Sequence, residues 1–286
     1  MKPKRLQPED KQKVLEALIR FYDTRPDEYG LMERSQSVYD NYAKFINEKL
    51  PDKDIKILDY GCGSWRIPES IAKYDFKEVV GLDYFSDAKM SEYKNHLTCS
   101  NAGLATYTKP GIIPFDDNTF DVVTSLCVLE HIIDIEDSLN EIDRVLKPGG
   151  YFIAEFPNWS SILISLSAIK INLVNKDRLW QLSNLSDSIL YFFRSFKWYF
   201  EVLFSKKSKF IEIEPRMKNG EIDFERSDDD VVHVCQPLSF KKYFKKKGYE
   251  IIEFNKSSAT TKFTKIFNSI FPNMASGNKF IVKKIF

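Results

Sequence analysis

Between residues 55 and 156 the chain alternates short apolar runs with helix-spaced stretches, and this alternation restricts the fold more than any other feature. Ile55–Tyr60 predicts a strand, 66–74 a helix, Glu78–Asp83 a strand, Ser86–His96 a helix and Leu104–Tyr107 a short strand. Phe120–Leu126, Ile135–Leu146 and Tyr151–Phe156 continue as strand, helix and strand. Strands joined through helices pair in parallel, because a parallel neighbour needs a long crossover, and the crossover helices cover both faces of the sheet. Right-handed crossovers then predict an α/β fold with a doubly wound, Rossmann-like sheet.

The flanking segments depart from this pattern. Residues 8–22 and 35–50 read as helices, with Val14, Leu15, Leu18, Ile19 and Phe21 at helical spacing, and Pro51 ends the second. From Trp159 to Cys235 the alternation stops in a long, aromatic, mainly helical stretch. It resumes with a helix at Ser239–Lys247, stopped by Gly248, and strands at Tyr249–Phe254 and Lys279–Ile285. The expected organisation is an N-terminal helical cap (1–50), a sheet domain (51–158 and 236–286) and a helical insertion (159–235) before the last two strands.

Composition excludes several classes. With 286 residues, 43% of them hydrophobic, the chain can bury one large core. Forty-two Lys and Arg against 41 Asp and Glu leave a net charge of +1, so no nucleic-acid partner is expected. Cys62, Cys99, Cys127 and Cys235 are scattered, without a CxxC pair or a His at ligand spacing, so no metal site is expected. Charged residues follow Met1-Lys2-Pro3-Lys4-Arg5 where a signal peptide needs an apolar run, and Trp159–Ile169 is too short to span a bilayer. The expected location is cytoplasmic, with contact at a membrane surface as the alternative.

The strongest local signal is Ile57-Leu58-Asp59-Tyr60-Gly61-Cys62-Gly63, at the end of the first strand. Ligands of open α/β sheets bind outside the carboxyl ends of the strands, and glycines there let the backbone approach a ligand. Asp83 ends the second strand, placed to accept from both ribose hydroxyls of an adenosine. A dinucleotide fingerprint would need a third glycine where Arg66 stands. Asp59, two residues before Gly61, would repel a pyrophosphate but suits a cationic ligand with an amino group. S-adenosylmethionine (SAM), which carries a sulfonium and an α-ammonium, meets that description. Read as structure alone, the segment is a tight strand–helix turn.

Five segments in order resemble the class I SAM-dependent methyltransferases, in particular the group that includes the ubiquinone- and menaquinone-biosynthesis methyltransferases. They are Asp59–Gly63, Val80–Asp83, Ile113–Val123, Val128-Leu129-Glu130-His131 and Arg144–Gly150. The resemblance covers about Ile55 to Pro157, with a weaker echo at 238–254. It implies a seven-stranded, mostly parallel sheet whose last strand is antiparallel. It also implies that Asp59, Gly61 and Gly63 line the methionine end of SAM, that Asp83 holds the ribose, and that Tyr84 lies against the adenine. Ser125, Leu126 and Cys127 would run beside the sulfonium. Two positions depart from the pattern. Trp65 stands where a third glycine is frequent, and no acid precedes the Pro-Phe segment, leaving backbone groups or Asn101, Thr106 and Thr108 for the adenine.

A sulfonium methyl is already activated, so the protein's task is placement, and a hydroxyl acceptor adds the need for a base. His131 follows the fourth strand and His233 follows the insertion; both are candidates, against plainer roles in starting a helix and in a loop. His96 ends a helix, and Cys62 and Cys127 read as small packing residues.

Within the insertion, apolar residues at 189, 192, 193, 196, 200, 203 and 204 form a helical stripe. Three readings stand: a lid packed on the core by this stripe, a peripheral membrane contact through 159–209, or a homodimer interface. The acid run Asp228-Asp229-Asp230 beside Glu225-Arg226 reads as a solvated loop. Tyr29, Tyr39 and Tyr42 place aromatics in the N-terminal segment, which either closes over the cofactor or caps the sheet edge. The expected activity is O-methylation of a small metabolite or glycan sugar. The alternatives are C- or N-methylation of a quinone-like or lipid-like acceptor, and a non-catalytic SAM-binding scaffold.

Overall fold

The computed structural model describes residues 6–24, 36–173, 185–223, 229–254, 266, 269–270, 273 and 277–286. In chain order the elements are α1 (Pro8–Thr24), α2 (Gln36–Lys49), β1 (Lys56–Tyr60), α3 (Arg66–Ala72), β2 (Glu78–Asp83), α4 (Asp87–Lys94), β3 (Ala102–Thr106) and β4 (Phe120–Leu126). A 3₁₀ turn at Leu129–His131 leads into α5 (Ile135–Val145), β5 (Leu146–Pro157), α6 (Ile162–Leu173) and α7 (Leu185–Phe204). A small hairpin, β6 (Met217–Lys218) and β7 (Glu221–Ile222), precedes α8 (Pro237–Lys246), β8 (Glu250–Phe254) and β9 (Gly277–Lys283).

Seven strands form one sheet in the order β3-β2-β1-β4-β5-β9-β8, mostly parallel with one antiparallel pair. The strand order reverses between β1 and β4, which pair in parallel with Leu58 opposite Val123 and Asp59 opposite Thr124. A doubly wound sheet has its switch point there, so the turn after β1 lies where such folds bind ligands. Ile57, Leu58, Val79, Val122 and Val123 are buried, as a sheet covered on both faces requires.

The chain divides into two compact units. One comprises Ile19–Val128, Asp134–Ile153 and Lys283–Phe286; the other comprises Met1–Leu18, Leu129–Ile133 and Ala154–Val282. The first holds β1 to β4 and the loops that follow β1, β2 and β3. Within it Arg144 donates to the carbonyls of Ile113 and Phe115 (2.9 and 2.8 Å) and to Glu141 and Asp117, fixing the segment before β4. Those carboxylates hold the Arg144 pKa above its ordinary value, the Glu141 bond contributing most. Phe115 and Phe120 meet edge to face at 5.0 Å on either side of the intervening turn, with Asn118 at φ +54°.

β5 begins earlier than its sequence predicts. Lys147-Pro148-Gly149-Gly150 reads as a helix stop and turn, yet the strand runs through it. Lys284 decides this: its carbonyl accepts from the Gly149 N–H at 2.8 Å and its N–H donates to the Gly150 carbonyl at 2.9 Å.

In the second unit α6 and α7 pack as a pair. Ser165 and Ser195, both buried, share a hydrogen bond of 2.9 Å between the helices. Tyr191, Trp198 and Val202 of α7 join Trp159, Ala168, Ile211, Ile213, Val231 and Val234 in one core cluster. The apolar stripe expected to be the packing face of α7 is therefore not the packing face. The buried side is Ser188, Tyr191, Ser195, Trp198 and Val202, while Ile189, Phe193, Phe200, Leu203 and Phe204 are exposed. Small serines admit the neighbouring helix where bulkier stripe residues would hold it away. Residues Tyr29, Glu225, Arg226 and Asp228 lie outside the described residues.

Candidate cofactor site

Asp59 is the last but one residue of β1 and its side chain is 1% exposed. Its Oδ1 accepts from Thr124 Oγ1 at 2.7 Å, the residue opposite it on β4. Its Oδ2 is buried and, among the described residues, has no hydrogen-bond partner. Burial pushes the Asp59 carboxyl up to about 7, the Thr124 bond opposes this, and the nearby Asp83 charge adds to it.

The turn after β1 is held by Leu82 of β2, whose carbonyl accepts from Gly61 N (2.8 Å) and Cys62 N (3.2 Å). Gly61 and Gly63 adopt φ of +75° and +65°, conformations costly for residues with a Cβ. A Cβ on Gly61 would sit 2.3 Å from Val128 Cγ1, so this position is closed by packing as well. A Cβ on Gly63 would meet nothing within 4 Å, and space beside the turn stays open there.

Asp83 braces the same turn. Its Oδ2 accepts from Gly63 N and its Oδ1 from Tyr84 N, each at 2.7 Å. Burial raises its pKa and these two N–H groups oppose the rise. Each carboxylate oxygen retains lone-pair capacity for a hydroxyl donor. Tyr84 stacks on Tyr107 at 4.4 Å and its hydroxyl accepts from Gly111 N. At the end of β4, Ser125 and Leu126 are buried and Cys127 takes φ +55°. Asp59, Gly61, Gly63, Asp83, Tyr84, Ser125, Leu126 and Cys127 thus gather at the carboxyl ends of β1, β2 and β4, within one compact unit.

Several side chains are committed to scaffolding. Asn101 Nδ2 donates to the carbonyls of Ala72 and Phe76 (3.1 and 2.7 Å), and Thr106 Oγ1 is bonded to the Phe85 backbone. Both amide hydrogens of Asn101 and the hydroxyl hydrogen of Thr106 are thereby used. Trp65 stacks on His96, with centroids 5.0 Å apart and planes 16° apart. Cys62 packs with Phe85 and Leu104, as a small apolar residue.

His131 and His233 fall in the other unit, which also brings them together. The Glu130 carbonyl accepts from Val232 N and His233 N, both at 2.9 Å. His131 Nδ1 lies 3.2 Å from Asp230 Oδ2, and its Nε2 lies 3.8 Å from Glu130 Oε1. Glu130, Asp230 and His233 are all buried. Asp230, expected in a solvated loop, instead lies buried beside an imidazole. The sequence missed Thr124 and Asp230 because each acts across a distance that no local pattern reports. Among the described residues no group of three His, Cys, Asp or Glu is arranged to hold a metal ion.

Residues 58–154 match the family model described as a methyltransferase domain. Those residues contain the glycine turn, both acids and the end of β4. They form a class I methyltransferase domain. The domain's relatives include squalene methyltransferase 1 of Botryococcus braunii, 32% identical over 50% of this chain and 42% of the relative. Demethylmenaquinone methyltransferase of Staphylococcus carnosus is 42% identical over 34% of this chain and 41% of its own. The chain thus spans less than half the length of these curated relatives. A solved structure of a candidate SAM-dependent methyltransferase from Listeria monocytogenes shares the fold. Its TM-score is 0.54 at 16% identity, covering 87% of this chain and 99% of that one. The methyltransferase domain's residues fit SAM: the buried, open oxygen of Asp59 suits an α-ammonium, and Asp83 suits a ribose diol.

Proposed function

We propose that this chain is a SAM-dependent methyltransferase that methylates an oxygen of a small metabolite or glycan sugar. The observation that carries the oxygen assignment is the imidazole of His131, with Nδ1 3.2 Å from the buried Asp230 carboxylate. A carboxylate at Nδ1 favours the tautomer with its proton there, which leaves Nε2 as the basic nitrogen. Nε2 is then the candidate to take the proton of an acceptor hydroxyl. SAM, when bound, supplies that methyl on a sulfonium and departs as S-adenosylhomocysteine. Asp59 holds the amino group, the Gly61–Gly63 turn lets the backbone come close, and Asp83 holds the ribose. Tyr84 borders the adenine, and Ser125, Leu126 and Cys127 flank the reacting centre. His233, whose backbone is tied to Glu130, is the second candidate for the base.

Substrate choice is ascribed to the segment 159–235. A C- or N-methylation reading is favoured by the names of two relatives, which refer to squalene and demethylmenaquinone. The test is turnover of SAM to S-adenosylhomocysteine with sugars, phenols and quinols as acceptors, for the parent and for His131→Gln, Asp230→Asn and His233→Gln. The O-methylation reading expects kcat to fall at least a hundredfold in His131→Gln and less in Asp230→Asn, with SAM affinity unchanged. A loss below tenfold in His131→Gln removes it from the base role. Binding of SAM without turnover on any acceptor would favour the scaffold reading.

A further inference from the structure

α7 carries apolar residues on two opposite sides. One side is packed: Tyr191, Trp198 and Val202 are between 0 and 1% exposed. The other is uncovered: Ile189, Leu190, Phe193, Phe200, Leu203 and Phe204 have exposures from 39 to 78%. At 100° per residue these six fall within one arc centred opposite the packed side. A helix already packed on one side needs no second apolar arc for its own burial, so the outer arc is a surface built for contact.

Charge indicates with what. The stretch from Leu185 to Lys209 contains Arg194, Lys197, Lys206, Lys207 and Lys209 against Asp187 and Glu201, in a chain whose net charge is only +1. Glu201 is occupied by its own side's cations, lying 3.0 Å from Lys209 and 3.8 Å from Lys197. Lys197, Lys206 and Lys207 are exposed, two of them just beyond Phe204. The end of the helix is fixed: Lys242 Nζ donates to the carbonyls of Val202, Leu203 and Ser205 (2.5, 3.1 and 2.5 Å). Phe200 and Phe204 lie parallel, 6.0 Å apart and inclined by 12°.

We propose that this outer face of α7 docks on an anionic phospholipid bilayer. Phenylalanine and leucine side chains enter the acyl boundary, and the lysines meet the headgroups. None of the described helices is long and apolar enough to cross a membrane, so α7 lies on the surface rather than spanning it. A second copy fits less well, because a two-fold contact through this face would set its lysine-rich surface against the same surface of the partner.

The test uses the full chain in vesicle flotation, with phosphatidylcholine alone and with added phosphatidylglycerol, at low and high salt. The expected result is co-flotation with anionic vesicles, weakened by salt. It should fall at least tenfold in the triple variant Phe193→Ser, Phe200→Ser, Phe204→Ser. The charge-reversed pair Lys206→Glu, Lys207→Glu replaces only exposed cations and should lose the anionic preference while keeping the fold. Calorimetry with SAM should be the same for all three proteins, so a failure of docking is distinguishable from a failure of the cofactor reading. Equal vesicle binding by parent and variants would overturn the proposal. So would no vesicle binding together with a parent dimer that the serine variant converts to monomer, which would assign the face to a second copy.

Discussion

The contact proposed between the buried Asp59 carboxyl and the cofactor's amino group would tie affinity to pH in a way that can be measured directly. Burial raises its pKa to about 7, so in the unliganded protein it is largely protonated at pH 6. An α-ammonium on its open Oδ2 favours the ionised form, so binding below pH 7 releases a proton. Only the ionised fraction binds well, so affinity for SAM or S-adenosylhomocysteine is about tenfold weaker at pH 6 than at pH 8, or about 1.4 kcal/mol. The Asp59→Asn variant cannot ionise. It should lose a charge-assisted hydrogen bond of about 1.5–3 kcal/mol at pH 8 and show a flat pH profile. The unliganded protein responds in the opposite sense. Because the folded state holds this proton more tightly than the unfolded state, stability falls as pH rises from about 4 to about 7. Asp59→Asn should therefore be the more stable protein above pH 7, by at most about 4 kcal/mol. Calorimetry in buffers of different ionisation enthalpy measures the affinity and the proton released. A parent affinity constant from pH 6 to pH 8, or an Asn variant that retains the slope, would refute the assignment of Asp59 to the amino group.

Two glycines of one turn should respond differently. Gly61→Ala drives a methyl to 2.3 Å from Val128 Cγ1, and should cost about 1–3 kcal/mol of stability as well as cofactor binding. Gly63→Ala meets no neighbour, so denaturation should show only the conformational cost of about 1–2 kcal/mol while calorimetry shows a large loss of affinity. Arg144→Ala removes the donor to two carbonyls and two carboxylates, and urea denaturation should report a loss of about 2–4 kcal/mol. Trp198→Ala empties the core beneath α7 and should cost about 3–5 kcal/mol, read from the same transition.

Much of this was legible in the sequence because buried parallel strands announce themselves. Glu78–Asp83 and Phe120–Leu126 have the predicted ends, since each apolar run is bounded by polar residues or a turn. The acids and glycines of the cofactor turn are likewise local signals. What could not be read depended on distant partners. Thr124 becomes a ligand to Asp59 only through the β1–β4 register. Asp230 becomes a neighbour of His131 only when residues 229–234 fold against the 3₁₀ turn. In α7 both sides were apolar, so hydrophobicity could not choose between them. The choice fell to Ser195, which brings the helix to α6 through Ser165.

The pairing of Lys284 with Gly149 and Gly150 has a consequence for the order of assembly. The segment Lys283–Phe286 belongs to the same compact unit as the cofactor turn, although nearly all of the other unit intervenes in the chain after Ile153. Lys284 also donates through Nζ to the carbonyls of Asp143 and Leu146, at 2.6 and 2.8 Å, closing the end of α5. A chain emerging residue by residue from the ribosome therefore makes the end of α5 and the start of β5 well before the segment whose hydrogen bonds complete them. Residues 143–150 thus wait for a partner that lies far along the chain.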